Sequence, residues 1–105
     1  MPSGPISVGD EGSIPIGSSK TVRFGRYPAM IINTEKKGLV AYNAVCTHFA
    51  CIVKWNPVSD MIECPCHAGF YNPLDGSVIS GPPPAPLEKL IMSIESGKIY
   101  IGTTT

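Results

Sequence analysis

Two short blocks, Cys46-Thr47-His48-Phe49-Ala50-Cys51 and Cys64-Pro65-Cys66-His67-Ala68-Gly69-Phe70-Tyr71, hold every cysteine and both histidines of this chain. Each block supplies a thiol and an imidazole within two or three residues, so one tight loop can aim both groups at one centre. Two such loops offer two thiolates and two imidazoles together. A chain written this way needs a rigid frame that sets two loops side by side.

The frame reads as short strands. Eleven Gly and eleven Pro break up the sequence, and no window free of them shows a helical period, so the expected class is all-β. Residues 20–24 alternate, with Val22 and Phe24 on one side. Residues 29–33 form a compact apolar run, and residues 38–43 follow a Glu35-Lys36-Lys37-Gly38 turn, which predicts a hairpin. Residues 87–94 and 98–101 flank Ser96-Gly97, a second hairpin signal. Before residue 19 the chain reads as loop with one edge strand around residues 14–16. The expected core is Val22, Phe24, Ile31, Leu39, Val40, Tyr42, Ile91, Ile94, Ile99 and Ile101.

Between the strand groups the composition changes, because residues 44–86 carry seven of the eleven Pro along with all the Cys and His. One domain is therefore expected over 1–105, with a base from 1–43 and 87–105 and an inserted subdomain at about 44–86. A chain of 105 residues buries roughly 65% of its unfolded surface and can keep a core without covalent help. Eight basic side chains balance eight acidic ones, and no polybasic run exists, which argues against nucleic acid or anionic lipid as the main partner. No apolar run approaches the roughly 18–20 residues that span a bilayer, and no signal peptide is evident. The opening Met1-Pro-Ser-Gly-Pro-Ile reads as a polar lead-in, a natural terminus or the cut end of a longer protein.

The donor set alone admits plainer chemistry. Four cysteines could form two structural disulfides, and two Cys with two His could hold a tetrahedral zinc ion. The first reading leaves both histidines without a role. The second uses a Cys-x-His and Cys-x-x-His pairing unlike usual zinc fingers and leaves two further cysteines to explain. Other residues invite blander readings: Trp55 as packing between the two parts, Asn72-Pro73 with Asp75-Gly76 as a turn, and Lys36 and Lys37 as a solvated hairpin tip.

Taken together, the two blocks resemble the boxes of Rieske iron–sulfur proteins, in which His replaces Cys on one of two irons. The likeness is close from Cys46 to Tyr71 and extends to Gly81-Pro82-Pro83-Pro84-Ala85-Pro86-Leu87, similar to a proline loop that shields the cluster. The resemblance implies an antiparallel sandwich or barrel base carrying a cluster-binding subdomain. It implies a Rieske-type [2Fe–2S] cluster with Cys46 and Cys64 on the inner iron and His48 and His67 on the outer. It also implies a disulfide between Cys51 and Cys66, the mark of the high-potential branch of quinol-oxidising bc-type complexes. Rieske ferredoxins and ring-hydroxylating oxygenases lack that second cysteine pair. Phe49, Gly69, Tyr71 and Pro83 would surround the cluster.

The chain departs from the family pattern at three places. Phe49 stands where Leu is usual and remains apolar. Ala50 replaces a Gly. Ala68-Gly69 replaces a Gly-Ser pair, which removes a hydroxyl that would donate to a bridging sulfide, while Tyr71 keeps the hydroxyl that the resemblance assigns to the Cys46 sulfur. Neutral imidazoles make such a cluster less negative than an all-Cys one, placing Rieske centres at roughly −150 to +300 mV against about −400 mV.

The function implied is one-electron transfer as the Rieske subunit, or its head domain, of a bc-type quinol–cytochrome oxidoreductase. Cytochrome b and c-type subunits, and quinol, would be its partners. Alternatives are an electron-relay subunit bound to a molybdenum catalytic subunit of the arsenite-oxidase type, and, disfavoured by Cys51 and Cys66, a Rieske ferredoxin. Quinol chemistry needs the membrane subunits, so the chain alone is not expected to be an enzyme. A persistent disulfide places it in the periplasm or on the outer face of an energy-transducing membrane, with its anchor outside this sequence.

Overall fold

The computed structural model describes residues 6–25, 27–46, 51–66, 69–81 and 85–102. The architecture is antiparallel β throughout, in three sheets. Strands β2 (Ser19–Phe24), β3 (Tyr27–Thr34) and β4 (Gly38–Asn43) form the middle one, in that order. One face of it packs on β1 (Ile6–Asp10), β10 (Lys98–Gly102) and β9 (Ile91–Glu95), ordered β1-β10-β9. The other face packs on β5 (Lys54–Asn56), β6 (Met61–Cys64), β7 (Gly69–Tyr71) and β8 (Val78–Ser80), which pair consecutively.

The apolar run in β3 explains this layering. Successive side chains of a strand point to opposite faces, so Ala29 and Ile31 enter the core shared with β10, while Met30 and Ile32 enter the core shared with β6 and β7. Their register partners follow suit: Met30 faces Tyr42 and Ile32 faces Val40, whereas Ile31 faces Ala41. A strand buried on both sides cannot alternate apolar with polar, and β3 does not.

The β3–β4 hairpin turns at the expected place. Thr34 Oγ1 accepts the Lys37 amide at 3.0 Å and donates to the Gly38 carbonyl at 2.7 Å, and Gly38 adopts φ +72°. The β9–β10 turn is also where the sequence puts it. Glu95 pairs with Lys98 across Ser96 (φ 51°) and Gly97 (φ 77°), the two positive φ angles that a tight two-residue hairpin requires.

Three expectations are corrected. The N-terminal edge strand lies at Ile6–Asp10, not around residues 14–16. A short 3-10 turn over Glu11–Ser13 follows it, leaving Ile14 buried in a loop and Ile16 70% exposed. Residues 87–90 do not continue β9: Leu87 and Leu90 are buried from loop positions, tied by the bonds Leu87 N–H to Gly76 O and Leu90 N–H to Ala41 O. Ile91 and Ile94 are not core, being 52% and 40% exposed. Strand β9 is the last in its sheet, so Ile91 points away from the core and Ile94, across from buried Ile99, sits at the open margin.

These placements predict unequal costs for equal truncations. Ile31→Ala should destabilise the protein by about 3–4 kcal/mol through lost transfer energy and a cavity. Ile91→Ala should cost well under about 1 kcal/mol. Chemical denaturation of the two variants checks the assignment, and equal losses would contradict it.

Candidate metal centre

The two blocks are anchored where strands end. Beyond β4, Val45 bridges Ile52, and the Cys46 amide donates to the Cys51 carbonyl at 2.7 Å. The loop between these residues is thereby closed at its neck. In the second block Cys64 ends β6 and pairs in register with Gly69, which begins β7. The intervening residues form the β6–β7 connection. The Cys51–Cys66 disulfide, with Cα atoms 6.5 Å apart, joins the two loops.

Burial sorts the four cysteines. Cys46 and Cys64 lie within the core between the middle sheet and the β5–β8 sheet, beside Val53, Ile62 and Tyr71. Both are almost fully shielded and neither is disulfide-bonded. Cys51 is half-buried and Cys66 exposed. The Tyr71 hydroxyl, also fully buried, lies 3.4 Å from Cys46 Sγ. Against a thiolate, which has only lone pairs to offer, the phenol is the donor. Gly69 is buried. His48, Phe49, His67 and Pro83 lie outside the described residues. Among the described residues no three His, Cys, Asp or Glu side chains gather as a metal site, since both histidines are outside them.

A turn beside the centre was legible only in part. Asn72 Oδ1 accepts the Leu74 amide, and Asp75 Oδ1 accepts the Ser77 amide, both at 2.9 Å. These are the Asx bonds expected of such residues. The hydrogen bonds to Ser77, with Lys37 adding a smaller effect, hold the Asp75 carboxyl below its usual range. Unforeseen is what clamps this turn. The Tyr42 hydroxyl donates to the Pro73 carbonyl at 2.7 Å, and Lys37 Nζ donates to the Leu74 carbonyl at 3.1 Å. Lys37 is therefore more than a solvated tip. Gly76, at φ +77°, sits so close to the Tyr42 ring that a Cβ there would lie 2.9 Å from Cε1. From sequence Tyr42 reads only as a core residue and Gly76 only as a turn residue; no local pattern announces that they meet. Trp55, expected as packing between the two parts, packs against the core that holds Met30, Ile32 and Ile62, and its Nε1 donates to the Gly17 carbonyl at 2.9 Å.

The donor chemistry fits a Rieske-type cluster. Two thiols buried on adjoining loops, one with a phenol beside its sulfur, suit soft iron with a hydrogen bond to a sulfur ligand, and the disulfide staples the same two loops.

Comparison with known proteins agrees. The Rieske [2Fe-2S] domain family matches over residues 4–91. The cytochrome b6-f complex iron-sulfur subunit of Chlorobaculum tepidum is 40% identical over 96 residues, covering 91% of this chain and 52% of that protein. The chain thus spans about half the length of the curated relatives it matches first. Among solved structures, a chain of a hyperthermophilic respiratory Complex III superposes with TM-score 0.76 at 31% identity, over 89% of this chain and 71% of that one. The ferredoxin of carbazole 1,9a-dioxygenase from Nocardioides aromaticivorans IC177 superposes with TM-score 0.79 over 97% of this chain and all of that one. At 18% identity it shares the fold alone.

Burial, and secondarily the Asp75 charge, push the Tyr42 hydroxyl up to about 12. An acid whose folded pKa is raised stabilises the fold fully below its unfolded value, near 10, and loses that contribution as pH rises from there through about 12. Stability should fall by about 2–3 kcal/mol across that window from this group. Denaturation midpoints of wild type and Tyr42→Phe between pH 9 and 12 test it: the variant should start less stable and lack this share of the decline.

Proposed function

The chain belongs to the Rieske [2Fe–2S] family, and from that premise we propose that it is the electron-carrying domain of a quinol-oxidising bc-type complex. Its cofactor is a Rieske-type [2Fe–2S] cluster, which when bound supplies a one-electron couple at higher potential than all-Cys clusters. Cys46 and Cys64 would hold it from the buried side and His48 and His67 from the other. Residues 44–86 would form the cluster-binding part and residues 1–43 with 87–105 the base.

The observation that carries this reading is the Cys51–Cys66 disulfide joining the two boxes. The resemblance ties such a bridge to the quinol-oxidising branch, and the b6-f and Complex III relatives support the same branch. On this reading the partners are cytochrome b and c-type subunits, with quinol as the electron source. A disulfide that endures points to the oxidising side of the membrane. Among the described residues no helix is long and apolar enough to cross a membrane.

The chain's own residues have definable tasks. The apolar core around Cys46 and Cys64 excludes water and strengthens every nearby electrostatic contact. The Tyr71 hydroxyl stabilises negative charge on Cys46 sulfur, which favours the reduced form. The disulfide holds the loops together by about 2–4 kcal/mol, in the range usual for such a bond.

The purified protein should be red-brown and, once reduced, give a rhombic EPR signal of mixed His/Cys ligation. His48→Ala or His67→Ala should lose it. A colourless zinc protein, or a full cluster surviving either change, would refute the ligand assignment. For the complex-level reading, the reduced domain should pass its electron rapidly to a c-type cytochrome in stopped-flow mixing, and no transfer would count against it.

Position 69 should tune the potential. A hydrogen bond to a charged group is worth about 1.5–3 kcal/mol, which for one electron corresponds to roughly 60–130 mV. Gly69→Ser, restoring the hydroxyl the family pattern has there, should raise the potential by that order, and Tyr71→Phe should lower it. Voltammetry decides. An unmoved potential in an intact Gly69→Ser protein would mean that another donor already serves that sulfide.

A further inference from the structure

We propose that Tyr42 is a positioning residue for the Tyr71–Cys46 contact, and through it for the redox potential. The proposal rests on the cluster reading above. Its basis is a closed mechanical loop. The backbone of Tyr42 belongs to β4, which ends at Asn43, and the chain continues through Ala44 and the Val45–Ile52 bridge to Cys46. Its side chain crosses to the turn that follows Tyr71, where its hydroxyl donates to Pro73 O at 2.7 Å. Tyr71 closes the loop by placing its own hydroxyl 3.4 Å from Cys46 Sγ. Tyr42 precedes Cys46 by four positions, and Pro73 follows Tyr71 by two.

Both arms of this loop are stiff. The Ala44 amide donates to Pro28 O, and the Val53 amide donates to Ala44 O, which pins the Cys46 arm to its neighbours. On the Tyr71 arm the Asn72 amide donates to Ser77 O at 2.8 Å and the Gly76 amide to Asn72 O at 2.7 Å. The Tyr42 ring lies flush against Gly76, with no room for a Cβ. Tyr42 and Tyr71 are both fully buried in the same core, so neither has a solvent-facing alternative. The hydroxyl lies 3.4 Å from the sulfur, an ordinary length for a hydrogen bond to sulfur, and a shift of the turn that draws it away weakens the contact.

The test is a double-mutant cycle on the cluster-loaded protein. Tyr42→Phe should keep the EPR signal and lower the potential by a fraction of the Tyr71→Phe shift. In a Tyr71→Phe background the same change should move the potential no further. Hydrogen exchange of the Asn72 and Gly76 amides should quicken about fivefold to tenfold in Tyr42→Phe, as expected when one hydrogen bond anchoring the turn is lost. Gly76→Ala, which displaces the ring from the other side, should reproduce both effects if Tyr42→Phe fails to load its cluster. An unchanged potential, or an equal shift with and without the Tyr71 hydroxyl, overturns the proposal. A wild type without a Rieske signal would instead refute the cluster reading, and unaltered exchange in Tyr42→Phe would then still refute the clamp.

Discussion

The structure depends on one strand being buried on both of its faces. Strand β3 carries Ala29, Met30, Ile31 and Ile32 in succession, all within a few per cent of complete burial. Its odd positions hold the sheet β1-β10-β9 and its even positions hold the sheet β5–β8. Each large side chain so buried contributes about 1.5–3 kcal/mol, and the two cores share a backbone, so neither sheet can shift without moving the other. The N- and C-terminal strands therefore brace the layer in which the cysteines sit, although they lie on the far side of the middle sheet.

That bracing has a chemical use. Thiols in a dry core are poor at holding charge without a partner. The core that receives Cys46 and Cys64 contains the phenol of Tyr71 at one sulfur and a hairpin neck closed by the Cys46–Cys51 backbone bond. Both loops leave the core from strand ends, where the backbone is fixed up to the residue that matters. A group held by Cys46 and Cys64 would gain from this arrangement because the packed core fixes both residues.

Much of this was legible in the sequence because it is encoded locally. The turn residues Gly38, Ser96 and Gly97 determine their own backbone angles, and the two Cys/His blocks identify themselves by composition and spacing. What stayed hidden depends on contacts between residues far apart in the chain. Ile91 and Ile94 read as core because an alternating apolar strand gives no sign of being the last in its sheet. The edge strand is hard to place from sequence because Ile14 is buried from a loop, whereas Ile6 pairs only with distant β10 and Val8 sits at a bulge in that pairing. The meeting of Tyr42 with Pro73 and Gly76 spans more than thirty residues, and neither end carries a motif that points to the other.

The four cysteines are identical in chemistry, yet Cys51 and Cys66 form the disulfide while Cys46 and Cys64 do not, and geometry supplies the reason. Cys46 and Cys51 have backbones joined directly by a hydrogen bond, and Cys64 and Cys66 are two residues apart. Proximity alone would favour pairing within each loop. The strand ends prevent it: Cys46 and Cys64 are committed to the inner core by the bridge at Val45 and by the register of β6 with β7. Cys51 is half-buried at the edge of that core and Cys66 is exposed, and their sulfurs join the two loops. Disulfide exchange requires a thiolate to reach the bridging sulfurs, and Cys46 and Cys64 are held in place by the packing of the core around them. The sheets that frame the two loops thus fix which cysteines are buried and which are joined.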